Sequence, residues 1–128
     1  MNSYQYVNNV LHFDGVALPA LAQAYGTPLY VYSESALSDA FKAYEQAFAA
    51  NQPLICYAVK ANGNLSVLKH FAALGSGFDI VSGGELQRVL AAGGEAGKVI
   101  FSGVGKSRDE IKLALEVGCE VFQCGVFA

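Results

Sequence analysis

Apolar residues along this chain fall into short runs separated by stripes of helical period, and after residue 50 the alternation repeats. Residues 4–13 have strand composition, with Tyr6, Val10, Leu11 and Phe13, and Asp14-Gly15 is a turn signal. A short amphipathic helix over 18–25 is stopped by Gly26 and Pro28. Leu29-Tyr30-Val31-Tyr32 reads as a strand. Ser33 then caps a helix running to about residue 50, with Ala36, Leu37, Ala40, Phe41, Tyr44 and Phe48 on one face.

A strand over 54–59 is followed by a helix capped by Asn64 that carries Leu68, Phe71 and Ala72 and ends at Gly75. A strand over 78–81 is followed by a helix carrying Leu86, Val89 and Leu90 and ending at Gly93. A strand over 99–101 is followed by a helix opened by the capping-box pair Ser107 and Glu110, carrying Ile111, Ala114 and Leu115 and ending at Gly118. In each helix the apolar positions fall at i, i+3 and i+4, with glycine at i+7. A fourth strand-like run starts at Val121. Repetition of this kind builds right-handed βαβ units on a parallel sheet, either open and doubly wound or closed as a (β/α)8 barrel. In both, a site forms at the carboxyl ends of the strands. Lys60, Asp79 to Gly84 and Ser102-Gly103 all fall at such ends, and three in register imply a shared pocket.

The segment Ile55-Cys56-Tyr57-Ala58-Val59-Lys60-Ala61-Asn62-Gly63-Asn64 carries the one chemically pointed residue, a lysine at the end of an apolar strand. Two readings of Lys60 stand on the residues alone. Its stem can lie on apolar neighbours while the amine reaches water, or the amine can be desolvated and nucleophilic, suited to a Schiff base.

Composition narrows the field. The chain has 128 residues, is 53% hydrophobic and 15% charged, and holds 14 glycines, as expected of an α/β enzyme. A net charge of −3 with eight basic residues argues against nucleic acid. No basic amino-terminal region precedes an apolar core, and no apolar run is long enough to span a bilayer. A cytoplasmic location without membrane partners is expected. Cys56, Cys119 and Cys124 lack the spacing of a disulfide framework or zinc knuckle and read as reduced core residues. His12 and His70 read as surface or packing residues, so no metal site is expected.

The segment Tyr57-Ala58-Val59-Lys60-Ala61-Asn62 resembles the fold-type III pyridoxal-phosphate decarboxylases, and within them the diaminopimelate decarboxylases. Four further segments agree in order: Gly26 to Tyr32, Gly75 to Leu86, Ala91-Ala92-Gly93, and Phe101 to Lys106. The resemblance implies an α/β fold, a partial (β/α)8 TIM-type barrel of three to four βα units with an N-terminal strand belonging to a β-rich second domain. The implied division is a lead-in over 1–32, a partial cofactor-binding barrel over 33–118, and a distinct tail over 119–128. It also implies that Lys60 holds pyridoxal 5′-phosphate, that Ala58 lies beneath the cofactor, and that Asp79 lies close to the lysine linkage. On its residues alone Asp79 reads equally as a structural or helix-capping carboxylate. Tyr57 is expected in packing, and Glu85 and Arg88 in solvent. The Ser82-Gly83-Gly84 turn either lets backbone approach the cofactor or permits tight strand-to-helix packing, which is preferred. Lys106 either helps shape the pocket mouth or, as preferred, lies in a solvated loop.

The implied reaction is decarboxylation of meso-2,6-diaminopimelate to L-lysine, a small amino-acid substrate, by a homodimer in the full-length parent. Relatives acting on ornithine, arginine or carboxynorspermidine share the barrel, and a non-catalytic pyridoxal-phosphate-binding barrel is the alternative of another class. The family's phosphate loop, its partner for the pyridine nitrogen and its substrate arginines fall outside these residues. Negligible turnover is therefore expected from the 128 residues alone. From Cys119 the pattern departs from the family's Phe-Asn-Val-Glu-Ser segment. Codons for 119–128, read one base later, permit Ala/Val-Lys-Cys-Phe-Asn-Val-Glu-Ser-Leu, so a single-base frameshift near Gly118 is expected.

Overall fold

The protein is described by a computed structural model over residues 4–123. The chain folds as two units, Met1–Ala47 and Phe48–Ala128.

The first unit opens with three antiparallel strands, β1 (Tyr4–Val7), β2 (Val10–Phe13) and β3 (Val16–Ala17). The expected single strand over 4–13 is a hairpin. Asn8 and Asn9 both take positive φ, 49° and 62°, as a two-residue turn between right-twisted strands demands. Asp14 and Gly15 do the same between β2 and β3, with φ of 50° and 77°. Tyr4 stacks on Phe13 across the register, with ring centroids 4.2 Å apart.

Helix α1 (Leu18–Tyr25) ends at Gly26 as expected. The strand expected at Leu29 to Tyr32 does not form. That segment finds no partner strand among the described residues, and Tyr30 is 87% exposed. Helix α2 (Glu34–Ala47) starts one residue after Ser33, whose hydroxyl accepts the Ala36 N–H at 2.9 Å. It stops short of residue 50, and a 3-10 turn, Ala49–Asn51, follows. Asp14 accepts from the hydroxyls of Ser33 and Ser35, and the Ser33 bond in particular holds its carboxyl below the usual 3.8.

The second unit is a parallel sheet of β4 (Cys56–Ala58), β5 (Gly77–Ile80), β6 (Val99–Phe101) and β7 (Val121–Phe122), in that order. Between them run α3 (Leu65–Ala73), α4 (Gly83–Ala91) and α5 (Arg108–Glu116). Asn64, Ser82 and Ser107 cap these helices with side-chain oxygens, and Glu110 completes the capping box with Ser107. Gly75, Gly93 and Gly118, the glycines at i+7, take φ of 83°, 86° and 94° and end the three helices alike.

Alternation along the strands sorts the side chains. Phe78, Ile80, Val99 and Phe101 are fully buried together with Leu68, Leu86, Val89 and Ala114 of the helices. The residues between them, Asp79 and Ile100, point to the opposite face and are half-buried. Ile111 and Leu115, expected in the core, are instead 37% and 59% exposed, and only Ala114 of that stripe is buried. β7 sits where the fourth strand is expected, with Phe122 6.1 Å from Phe101. Among the described residues no helix is long and apolar enough to cross a membrane.

Candidate functional site

The strand carrying Lys60 ends earlier than its sequence suggests. After Ala58 the backbone tightens into a 3-10 turn, Val59–Ala61, so Lys60 leaves the sheet on a turn rather than on a strand. Val59 is 1% exposed and anchors that turn in the core. Beyond it, Asn62 Oδ1 accepts the Asn64 N–H at 3.0 Å, and Asn64 Oδ1 caps α3 through Ser66 N–H at 2.8 Å. The Tyr57 hydroxyl donates to the Asn62 carbonyl at 3.4 Å while its ring stacks on Phe71 at 4.2 Å. Tyr57, Asn62 and Asn64 are thus all spent on holding the turn.

Lys60 opens on a cavity of about 720 Å³, lined further by Asp79, Val81, Ile100, Ser102, Gly103 and Gln123 among others. That volume is of the size that holds a small ligand. Register explains the gathering: Ala58, Asp79, Ile100 and Val121 stand side by side across the four strands. Asp79 and Lys60 therefore share the cavity. Ala58 is the register neighbour of Asp79 but does not itself line the cavity.

The Ser102 hydroxyl donates to Asp79 Oδ1. Gly103 is required where it is, because a Cβ there would lie 2.2 Å from the Val81 carbonyl oxygen. Beneath, Cys56 is half-buried and its thiol pKa is raised, first by burial and then by the Asp79 charge.

Three residues expected in solvent bond to backbone groups, Arg88 while staying exposed as expected and Glu85 and Lys106 half-buried. Glu85 accepts the Val81 N–H at 2.7 Å, and Arg88 donates to the Gly63 carbonyl at 3.1 Å. Lys106 donates to the carbonyls of Gly103 and Gln123, its ammonium 5.3 Å from the Phe101 ring centre. The bonds of Arg88 to Gly63 and of Lys106 to Gln123 join distant segments, whereas Glu85–Val81 and Lys106–Gly103 span only four and three residues. Gly83 packs as expected: a Cβ would meet Glu110 Cγ at 3.0 Å. Glu110 also accepts the Gly83 N–H at 2.7 Å, and that bond is the leading reason its carboxyl is held below 4.5. His12 bonds Val10 O, His70 packs edge-on to Phe71, and no group of metal ligands forms among the described residues. Cys119 is buried, while Cys124 and residues 125–128 of the tail lie outside the described residues.

The donor set fits the aldehyde end of a pyridoxal group. The Lys60 amine has no hydrogen-bond or ionic partner among the described residues, and it shares its cavity with a carboxylate. The start of α4 offers little to an anion, because the Val81, Gly83 and Glu85 N–H groups are taken by Glu85, Glu110 and Ser82.

The chain is similar to several known proteins. The chain is 69% identical over 112 residues to the diaminopimelate decarboxylase of Neisseria meningitidis serogroup B, covering 88% of this chain and 27% of that protein. It is 53% identical over 122 residues to that of Pseudomonas aeruginosa, covering 95% and 29%. A crystal structure of diaminopimelate decarboxylase from M. jannaschii in complex with L-lysine superposes with a TM-score of 0.91 at 32% identity, covering 94% and 29%. The chain thus spans less than a third of the length of these relatives. The family described as pyridoxal-dependent decarboxylase, pyridoxal binding domain, matches residues 34–127. With a lysine turn, a carboxylate and a parallel strand-end cavity inside that match, the chain belongs to the pyridoxal-dependent decarboxylase family, in its pyridoxal-binding domain.

Proposed function

We propose that this chain supplies the lysine-bearing part of a diaminopimelate decarboxylase, which releases carbon dioxide from meso-2,6-diaminopimelate to give L-lysine. The single observation that carries the reading is a Lys60 amine without a partner among the described residues, lining one strand-end cavity with Asp79. Identity of 53–69% to diaminopimelate decarboxylases favours that substrate over those of the ornithine and arginine branches. When bound, pyridoxal 5′-phosphate supplies an electron sink for the α-carbon of an amino acid losing its carboxylate. Lys60 holds the cofactor through its side-chain nitrogen. Asp79 presents a negative acceptor to that nitrogen from the next strand. Ala58, small and in register with Asp79, leaves room for the ring above the sheet.

In this reading residues 1–32 lead in from a β-rich second domain and residues 33–118 begin the barrel, a division supported by a family match that starts at residue 34. The working protein is a cytoplasmic homodimer without nucleic-acid or membrane partners. We propose as well that residues 119–128 are read out of frame. Sequencing the gene tests it: the neighbouring frame encodes Phe-Asn-Val-Glu-Ser, and a neighbouring frame without that segment refutes the shift.

The function is tested by adding pyridoxal phosphate, reducing with borohydride and mapping the label by peptide mass spectrometry. Label on Lys60 is expected, with none in Lys60→Ala. Label spread over surface lysines, or unchanged in Lys60→Ala, overturns the assignment. The 128 residues alone, given cofactor and meso-diaminopimelate, are expected to release no measurable lysine. Turnover by them would show that no further segment is needed.

A further inference from the structure

We infer that Ser102 is a positioning residue for Asp79, its hydroxyl tying down one carboxylate oxygen so that the other is left for the Lys60 cavity. The inference deepens the reading of Lys60 as the cofactor-holding amine and rests on it. Ser102 lies two residues beyond Ile100, the register partner of Asp79, so both side chains face the same side of the sheet. Its backbone is fixed, because the Ser102 N–H donates to the Ile80 carbonyl at 2.9 Å. The next residue, Gly103, lies against the Val81 carbonyl with no room for a Cβ. The hydroxyl therefore has two acceptors within reach, Asp79 Oδ1 and, at 3.3 Å, the Ile80 carbonyl. Asp79 Oδ2 has no partner among the described residues.

Other charged groups near this face are accounted for. Lys106 is committed to two carbonyls, Glu85 to Val81 N–H and Glu110 to the amides of Gly83 and Ser107. Cys56, on the strand beside Asp79, titrates high. That leaves Lys60 and Asp79 as the facing pair in the cavity, with Ser102 the one side chain among the described residues that orients the carboxylate. A hydroxyl donated to a carboxylate restricts its rotation.

The test compares Ser102→Thr with Ser102→Val, nearly equal in volume and differing in the hydroxyl, alongside Ser102→Ala. In the cofactor-free protein, the chemical shift of the Asp79 carboxyl is read by ¹³C NMR at one neutral pH and assigned with Asp79→Asn. That chemical shift is expected to move in the Val and Ala variants, which lose the hydroxyl donor, and to stay near wild type in Thr. Borohydride-trapped labelling of Lys60 is expected to slow about tenfold in Val and Ala and to recover in Thr. Equal carboxyl shifts and equal labelling in Thr and Val overturn the inference. Absence of labelling at Lys60 in the wild-type protein overturns the cofactor reading instead, while the carboxyl chemical shift still judges Ser102. Circular dichroism on each variant identifies a loss of fold, and the Thr–Val comparison decides when Ser102→Ala fails to fold.

Discussion

Arg88, in the middle of α4, donates its guanidinium to the carbonyl of Gly63, just past the turn that bears Lys60, at 3.1 Å. Its stem lies over the same glycine, where a Cβ would meet Arg88 Cδ at 3.6 Å. One helix thus braces the loop that follows the preceding strand. Removing it with Arg88→Ala is expected to cost about 0.5–1.5 kcal/mol by urea unfolding, at the low end because the bond is exposed. Labelling of Lys60 should slow in parallel, and Arg88→Lys should recover part of both. An unchanged labelling rate in Arg88→Ala would mean that the turn holds itself.

Glu110 joins the starts of α4 and α5, accepting from Gly83 and from Ser107. Those bonds, Gly83 first, hold its folded carboxyl below the ordinary 4.5. Such a group contributes its full stability above the unfolded value and loses it as pH falls through the folded one. Wild type is therefore expected to weaken below about pH 4.5 more steeply than Glu110→Gln, which has no charge to lose. Urea midpoints at a series of pH values check this. Parallel curves for the two proteins would place the acid sensitivity elsewhere.

Gly103 and Gly97 make a matched pair. A methyl at Gly103 would meet the Val81 carbonyl oxygen at 2.2 Å, whereas at Gly97 it would meet nothing within 4 Å. Gly103→Ala is expected to destabilise by about 1–3 kcal/mol, because backbone rather than a flexible side chain must give way. Gly97→Ala should be neutral or stabilising by up to about 1 kcal/mol. Thermal unfolding of both variants measures the contrast, and Lys60 labelling should suffer only at Gly103.

The Cys56 thiol, raised by burial and then by the Asp79 charge, should alkylate slowly near neutral pH. Asp79→Asn removes the second cause, so Cys56 is expected to react faster while Cys119, raised by burial alone, stays as it was. Iodoacetamide labelling followed by peptide mass spectrometry separates the two sites. Equal rates at Cys56 in wild type and variant would show that the carboxylate charge is not felt there.

By itself the sequence determined what local chemistry decides. Asn64 and Ser107 open their helices, Gly75, Gly93 and Gly118 close them, and β6 spans the residues its composition marks. Caps and left-handed glycines act within a few residues of themselves, so they are readable in order along the chain. Lys60 was legible too, because an amine at the end of an apolar run is unusual wherever it occurs.

Only the tertiary structure decided whether Leu29 to Tyr32 would pair as a strand, since a strand needs a neighbour that its own residues do not encode. It also decided that Ile111 and Leu115 would stay exposed on α5, and that Arg88 and Lys106 would donate to the distant carbonyls of Gly63 and Gln123. Above all, it brought Asp79, Ser102 and Lys60 to one cavity. Strand register does that, and register is a relation between segments far apart in the chain.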